Sequence, residues 1–263
     1  MTTVVCRQLA PRVGEPAHNH QLILEAIATS GDADLLVLPE LSSSGYVFRD
    51  AQEARSLALT STSDAIGEWI GAVPEGMIVA CGYAELGEDD RVYNSAMLFD
   101  RSGILANYRK VHLWDQEKRV FQAGQSAAPI VDTEWGRLGL MVCYDLEFPE
   151  YTRSAALRGA DALVVPTNWP LVPRPDGERP PEVIIAQAAA RTNKMPVICC
   201  DRSGAERGQD WTEGTTVIDH EGWVAGEADE SGVARCELDL RAGRDKRVSE
   251  HNHLFDDRRP DLY

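Results

Sequence analysis

G136-R-L-G-L-M-V-C-Y-D-L-E-F-P-E150 is the stretch on which the reading of this chain turns. A turn glycine leads into an unbroken apolar run over 138–142, which ends at Cys143. A polar turn follows, closed by Pro149 and Glu150 at the start of a helical pattern, PEYTRSAALRGA. The segment therefore predicts a buried strand that stops where a helix begins. A thiol at such a junction is held from behind by the strand. The amide-rich start of a helix nearby favours its thiolate form. Cys143 is placed like a nucleophile, and a buried cysteine serving as a small apolar residue is the plainer alternative.

Working outward, the run ADALVVPTNW is a second buried strand that ends in Thr167, Asn168 and Trp169, beside Cys143. The run LLVLP over 35–39 is a third, and Glu40 follows it at the rim of a sheet. The loop LSSSGYVFRD then brings Tyr46 and Phe48, both suited to lining a pocket. Strands at 77–86, 92–99 and 104–110 read as antiparallel neighbours joined by short turns, and Lys110 closes the last of them. A first strand is expected over 2–10, and 129–133 pairs with 137–142 as a hairpin. Helices are predicted over 18–30, 64–73, 149–159 and 182–193. The proline-rich stretch 170–181 is a long loop of the kind that shapes a pocket or meets another subunit. Strands over 196–200, 215–219, 223–226 and 233–240 complete a single layered α/β (α+β) domain covering residues 1–263. The polar tail from about residue 249 is placed on a surface or at a subunit interface.

Composition narrows the function. The chain has 263 residues, 43% of them hydrophobic, which is enough for a sizeable core. The net charge of −16 disfavours nucleic acid or an anionic membrane as partner. No apolar run approaches the roughly 20 residues that cross a bilayer, and the N-terminal MTTVVCRQLA has no basic leader region. These features point to a cytoplasmic protein. Six cysteines at irregular spacing suit reduced thiols better than a disulfide framework or a zinc site.

Glu40, Lys110 and Cys143 each stand at the end of a strand-like segment, and a carboxylate, an ammonium and a thiol at one sheet rim suit attack on a carbonyl. LLVLPELSSSGY, NYRKVHLW and LGLMVCYDLEFPE, in this order, resemble the three signature segments of the nitrilase superfamily of carbon-nitrogen hydrolases. The similarity extends through YNSAMLFDRSG, EKRVFQAG, the segment over 191–204, EGTTVIDHEG and the terminal RRPDLY.

The resemblance implies a four-layer αββα sandwich that pairs into an αββα-αββα homodimer or a larger homo-oligomer. It implies a site free of metal and organic cofactor, with Cys143 as nucleophile and Glu40 as general base. Lys110 and the backbone N–H of Tyr144 would hold the oxyanion, and Glu117 would position the substrate. Tyr46, Tyr144, Asn168 and Trp169 are the expected substrate contacts. Tyr144 and Asp145 after the cysteine resemble the amidase-like branches, whereas nitrilases commonly carry Trp-Glu there. Glu147 stands where carboxylate-handling branches place an arginine. Together these imply hydrolysis of a small neutral amide, aliphatic by preference. N-carbamoyl amino acids, ω-amides and nitriles are the alternatives within the superfamily, with Arg174 or Arg191 as substitute carboxylate partners. The chain departs from the family in Asp201, where an asparagine is usual, and in Thr192-Asn193-Lys194 after Arg191. Two rival readings are a cysteine-histidine hydrolase with His112 as base and a catalytically silent scaffold.

Overall fold

The computed structural model describes residues 1–262; Tyr263, the last residue of the tail considered above, lies outside the described residues. The first half of the chain runs through β1 (Thr2–Arg7), α1 (Pro16–Ala28), β2 (Leu35–Val37), α2 (Ala51–Leu57) and α3 (Asp64–Ala72). It continues with β3 (Ile78–Leu86), β4 (Val92–Asp100), β5 (Gly103–Arg109) and the short α4 (Glu117–Val120). The second half contains β6 (Ile130–Thr133), β7 (Gly136–Leu140), α5 (Pro149–Leu157), β8 (Ala162–Pro166), α6 (Pro181–Asn193) and β9 (Val197–Cys200). A two-residue pair, β10 (Ala205–Glu206) and β11 (Gln209–Asp210), precedes β12 (Thr216–Ile218), β13 (Val224–Glu227) and β14 (Val233–Leu238).

Two six-stranded sheets result, ordered β14-β1-β2-β3-β4-β5 and β13-β12-β9-β8-β7-β6. Each has a parallel centre, β1-β2-β3 in one and β7-β8-β9 in the other, flanked by antiparallel strands. The central strands read as continuous apolar runs because both of their faces are covered. Period-two alternation divides the side chains. Val4, Cys6, Leu35, Val37, Ile78, Ala80, Ala96 and Leu98 face the second sheet across the core. Val5, Leu36, Leu38, Val79, Cys81, Met97 and Phe99 point the other way, onto Ile23 and Ile27 of α1 and Ile66 and Trp69 of α3. On the far side, Ala155 and Ala156 of α5 and Val183, Ala186 and Ala190 of α6 join the buried cluster of the second sheet. The molecule is thus the four-layer αββα sandwich that the sequence resemblance implies.

Several elements depart from the sequence reading, among them the short α4 and the β10–β11 pair, which it does not contain. The strand expected to reach Val142 ends at Leu140, although the Met141 N–H still bonds the Val164 carbonyl at 3.1 Å. Cys143 opens a 3₁₀ turn, Cys143–Glu147, and α5 begins only at Pro149. The helix α2 has no counterpart in the sequence reading. It buries only Ala54, so it lacks an apolar stripe, and it is held by its cap: Asp50 accepts from the Glu53 N–H at 2.8 Å. The tail lies across its own chain, with Phe255 packed beneath Lys246 and Arg153. Among the described residues, no helix is long and apolar enough to cross a membrane.

Candidate active site

The carboxyl ends of the parallel strands open onto one rim, where ligands bind in layered sheets. Glu40 follows β2, Cys143 follows β7, Asn168 follows β8 and Asp201 follows β9. The two sheets are stitched together there: the Glu40 N–H donates to the Thr167 carbonyl at 3.3 Å, and Asn168 Nδ2 donates to the Glu40 carbonyl at 2.9 Å. Glu40 can approach this closely because Gly82 of β3 lies underneath it. A Cβ on Gly82 would meet the Glu40 Cα at 2.5 Å.

Lys110 is fully buried just beyond β5. Its backbone is held on both sides, by its own N–H on the Asn94 carbonyl at 2.8 Å and by the Gly124 N–H on its carbonyl at 2.9 Å. Its Nζ donates to Glu40 Oε1 at 2.7 Å and to Glu117 Oε1 at 2.9 Å. Asn94 Nδ2 bridges the same two oxygens at 2.7 and 3.2 Å. Tyr46 donates its hydroxyl to Glu117 Oε1 at 2.7 Å, and the Trp114 N–H donates to Glu117 Oε2 at 2.9 Å. Glu40 Oε2 is buried and has no hydrogen-bond partner among the described residues.

Burial opposes the charge on Lys110, but Glu117 and Glu40 outweigh it and hold its pKa well above the ordinary lysine value. For Glu40 the balance falls the other way. Burial, reinforced by the neighbouring Glu117, raises its pKa to about 7 although Lys110 lowers it.

Cys143 adopts φ +46°, the left-handed region, which presents its thiol at the crest of a sharp turn. Asp145 holds that turn, accepting from the Val142 N–H at 3.0 Å, the Tyr108 hydroxyl at 2.8 Å and the His112 N–H at 3.1 Å. The thiol pKa is pushed well above its ordinary value, first by burial and then by the negative field of Glu40, with Lys110 opposing. This corrects the expectation of a helix-stabilised thiolate: α5 starts only at Pro149, and the buried site favours the neutral thiol. The same field effects put Glu40, Lys110 and Glu117 within electrostatic reach of Cys143.

His112 does not compete for the role of base. Its Nδ1 lies 2.7 Å from Asp145 Oδ1, and its ring stacks on Phe148 at 3.8 Å, behind the turn. The Cys143 thiol instead faces the Asn168 carbonyl at 3.9 Å.

A cavity of about 60 Å³ opens on Cys143, and Tyr144, Asn168 and Trp169 are among the residues that line it. Tyr46 lines a neighbouring cavity of about 160 Å³ with Glu117, not the cavity that opens on Cys143. Trp114 and Pro170 form the wall shared by both. Asp201 acts as a strut: it accepts from the Trp169, Arg202 and Gly214 N–H groups, each at 2.9 Å. Neither Arg174 nor Arg191 lines the Cys143 cavity; Arg191 pairs with Glu221 on an exposed face. Asn94, Trp114, Ile185 and Glu182 are not singled out by the sequence. Asn94 carries a signal there, its place in YNSAMLFDRSG, and Trp114 another, its place at the end of NYRKVHLW.

The comparisons with known proteins agree with this architecture. Residues 3–247 match the family model described as carbon-nitrogen hydrolase. A protein named nitrilase from Pyrococcus abyssi is 32% identical over 100% of this chain and 99% of its own length. An (R)-stereoselective amidase from a Pseudomonas species is 36% identical over 89% of this chain and 83% of its own. Among solved structures, an amidase from Nesterenkonia sp. AN1 superposes with a TM-score of 0.79 at 29% identity, covering 94% of this chain and 97% of that one. A glutamine-for-glutamate variant of that amidase carries the acetamide moiety of fluoroacetamide on its active-site cysteine and matches with a TM-score of 0.80 at 27% identity, covering 99% of this chain and 95% of that one. The chain belongs to the carbon-nitrogen hydrolase family, whose members act on non-peptide carbon-nitrogen bonds.

Proposed function

We propose that the protein is an amidase that hydrolyses a small carboxamide, with an acyl group free of carboxylate, to a carboxylic acid and ammonia through a thioester on Cys143. The observation that carries this reading is the division of labour on Glu40: Oε1 is engaged by Lys110 and Asn94, and Oε2 is left without a partner among the described residues. Oε2 takes the thiol proton as Sγ attacks the amide carbon, forming the carbon-sulfur bond. Lys110 Nζ and the Tyr144 N–H stabilise the oxyanion, and Glu117 fixes the ammonium of Lys110. Glu40 then delivers the proton to nitrogen, the carbon-nitrogen bond breaks and ammonia leaves. Water gives a proton to Glu40 and attacks the thioester. The carbon-sulfur bond breaks, the thiol regains its proton and the acid departs.

The mainly apolar cavity, with no arginine among its lining residues, supports an acyl group without a carboxylate. Relatives named amidase, including the 2-oxoglutaramate amidase of Bacillus subtilis, support an amide over a nitrile, as do Tyr144 and Asp145 after the cysteine. The test is ammonia release from aliphatic amides, aryl amides, nitriles, N-carbamoyl amino acids and ω-amides, with mass spectrometry of the Cys143 adduct. Hydrolysis of aliphatic amides with an acyl adduct on Cys143 supports the reading. Preference for nitriles or carbamoyl compounds, or turnover retained in Cys143→Ala, overturns it.

A further inference from the structure

Among the described residues, the only charged side chains lining the Cys143 cavity are two carboxylates, Glu147 from the 3₁₀ turn and Glu182 from the first turn of α6. The remaining lining is largely aromatic and aliphatic, including Trp114, Trp169 and Ile185. Neither carboxylate forms an ion pair with another described residue, and Glu182 Oε2 is buried without a hydrogen-bond partner among them. Arg174, on the proline-rich loop, lowers the Glu182 pKa by its field but does not pair with it. Burial raises the pKa of both groups, and Glu182 raises that of Glu147 further, so the two share one patch.

A second observation at the same cavity points to a ligand that donates hydrogen bonds. Asn168 is fully buried, its Nδ2 is committed to the Glu40 carbonyl, and its Oδ1 has no partner among the described residues although the residue lines the cavity. The half-buried Glu182 and an orphaned amide oxygen are unfavourable beside apolar walls unless a donor meets them, and the more exposed Glu147 adds a second negative charge at the same cavity. An anion would add repulsion, and a purely aliphatic acyl group would leave both carboxylates without a partner. A short chain ending in an ammonium answers the two carboxylates, and the N–H of the carboxamide answers Asn168 Oδ1.

Resting on the amidase reading above, we propose that this cavity selects small amides whose acyl group carries a protonated amine, with the ammonium held by Glu147 and Glu182. The carboxamide then reaches Cys143, and Asn168 Oδ1 accepts an N–H from the substrate. The amine is unchanged by the reaction, so the product is a short amino acid. This departs from the neutral acyl group anticipated from the sequence: Glu147 disfavours anions as argued there, but together with Glu182 it recruits a cation.

The test compares kcat/KM at neutral pH for three amides of similar size, differing in one end group: β-alaninamide with an ammonium, butyramide with a methyl and succinamate with a carboxylate. The native protein is expected to prefer β-alaninamide over butyramide by more than about tenfold, and succinamate should be poorest. Glu147→Gln and Glu182→Gln should each lower the ammonium-to-methyl ratio, and the double variant should bring it near unity. The ratio is taken within each preparation, so partial loss of folded protein cancels. A ratio at or below one in the native protein, or a preference that survives in the double variant, overturns the proposal. If butyramide is hydrolysed without an ammonium advantage, only this inference fails. If no amide yields ammonia or an adduct on Cys143, the amidase reading fails with it.

Discussion

Glu40 illustrates how burial sets chemistry at the level of one residue. A carboxylate in water would be ionised but weakly basic; at about 7, Glu40 is matched to proton transfer near neutrality. Because the base must be deprotonated, kcat/KM for a neutral amide should rise with pH through about 7 on its acid limb. Glu117 contributes to that raised value, so Glu117→Gln should move the limb to lower pH as well as reduce the rate. A pH profile of both proteins checks the sign; an unchanged or higher limb contradicts it. His112 gives the complementary case. Its ring is bound to Asp145 behind the nucleophile turn, so His112→Ala should retain acylation of Cys143, measured by adduct mass. The same variant should lose about 1–3 kcal/mol of stability, because buried Asp145 Oδ1 loses one of its two donors, keeping only the backbone N–H of residue 112, and the ring stacking on Phe148 is lost.

At the scale of elements, the site depends on close backbone approaches more than on side-chain packing. Gly82 lies in the middle of β3, where a glycine ordinarily weakens a strand. Its justification is the loop after β2: a Cβ there would also stand 2.6 Å from the Leu41 N, against backbone that cannot rotate away. Gly82→Ala should leave the sheet formed while displacing Glu40. The expected outcome is a loss of about a hundredfold in kcat, the scale of a misplaced catalytic group, with about 1–3 kcal/mol lost in thermal unfolding. Turnover close to native would show that the Glu40 loop can shift without consequence. Gly124 has a similar role on the other side, where a Cβ would lie 2.1 Å from the Arg109 carbonyl beside Lys110.

For the whole molecule, the decisive feature is that two sheets present their carboxyl ends at one rim. Glu40 and Lys110 come from the first sheet and Cys143 and Asn168 from the second, so no half of the chain holds the site alone. We also propose the homodimer or larger assembly that the family resemblance implies, with the exposed Leu157 of α5 and Ile184 of α6 contributing apolar surface to it. Sedimentation at micromolar concentration should give a mass of at least twice 28.9 kDa; a monomer across that range contradicts the proposal.

Most of the strands, and the helices α1, α3, α5 and α6, were legible because apolar runs, helical periodicity and turn residues are local signals. Glu40, Lys110, Glu117 and Cys143 were legible because each sits in a distinctive segment. Local sequence also pointed to Cys143 as the candidate nucleophile just beyond a strand and to an acidic residue, Glu147, where an anion would be repelled. Only the tertiary structure decided the ionisation of the site and the shape of its pocket. Burial and field are sums over residues distant in sequence: Asn94 bridging two carboxylates, Tyr46 hydrogen-bonded to Glu117, and Glu182 brought from α6 to share a patch with Glu147. No spacing along the chain encodes these distances, because they arise only when the two sheets close on each other.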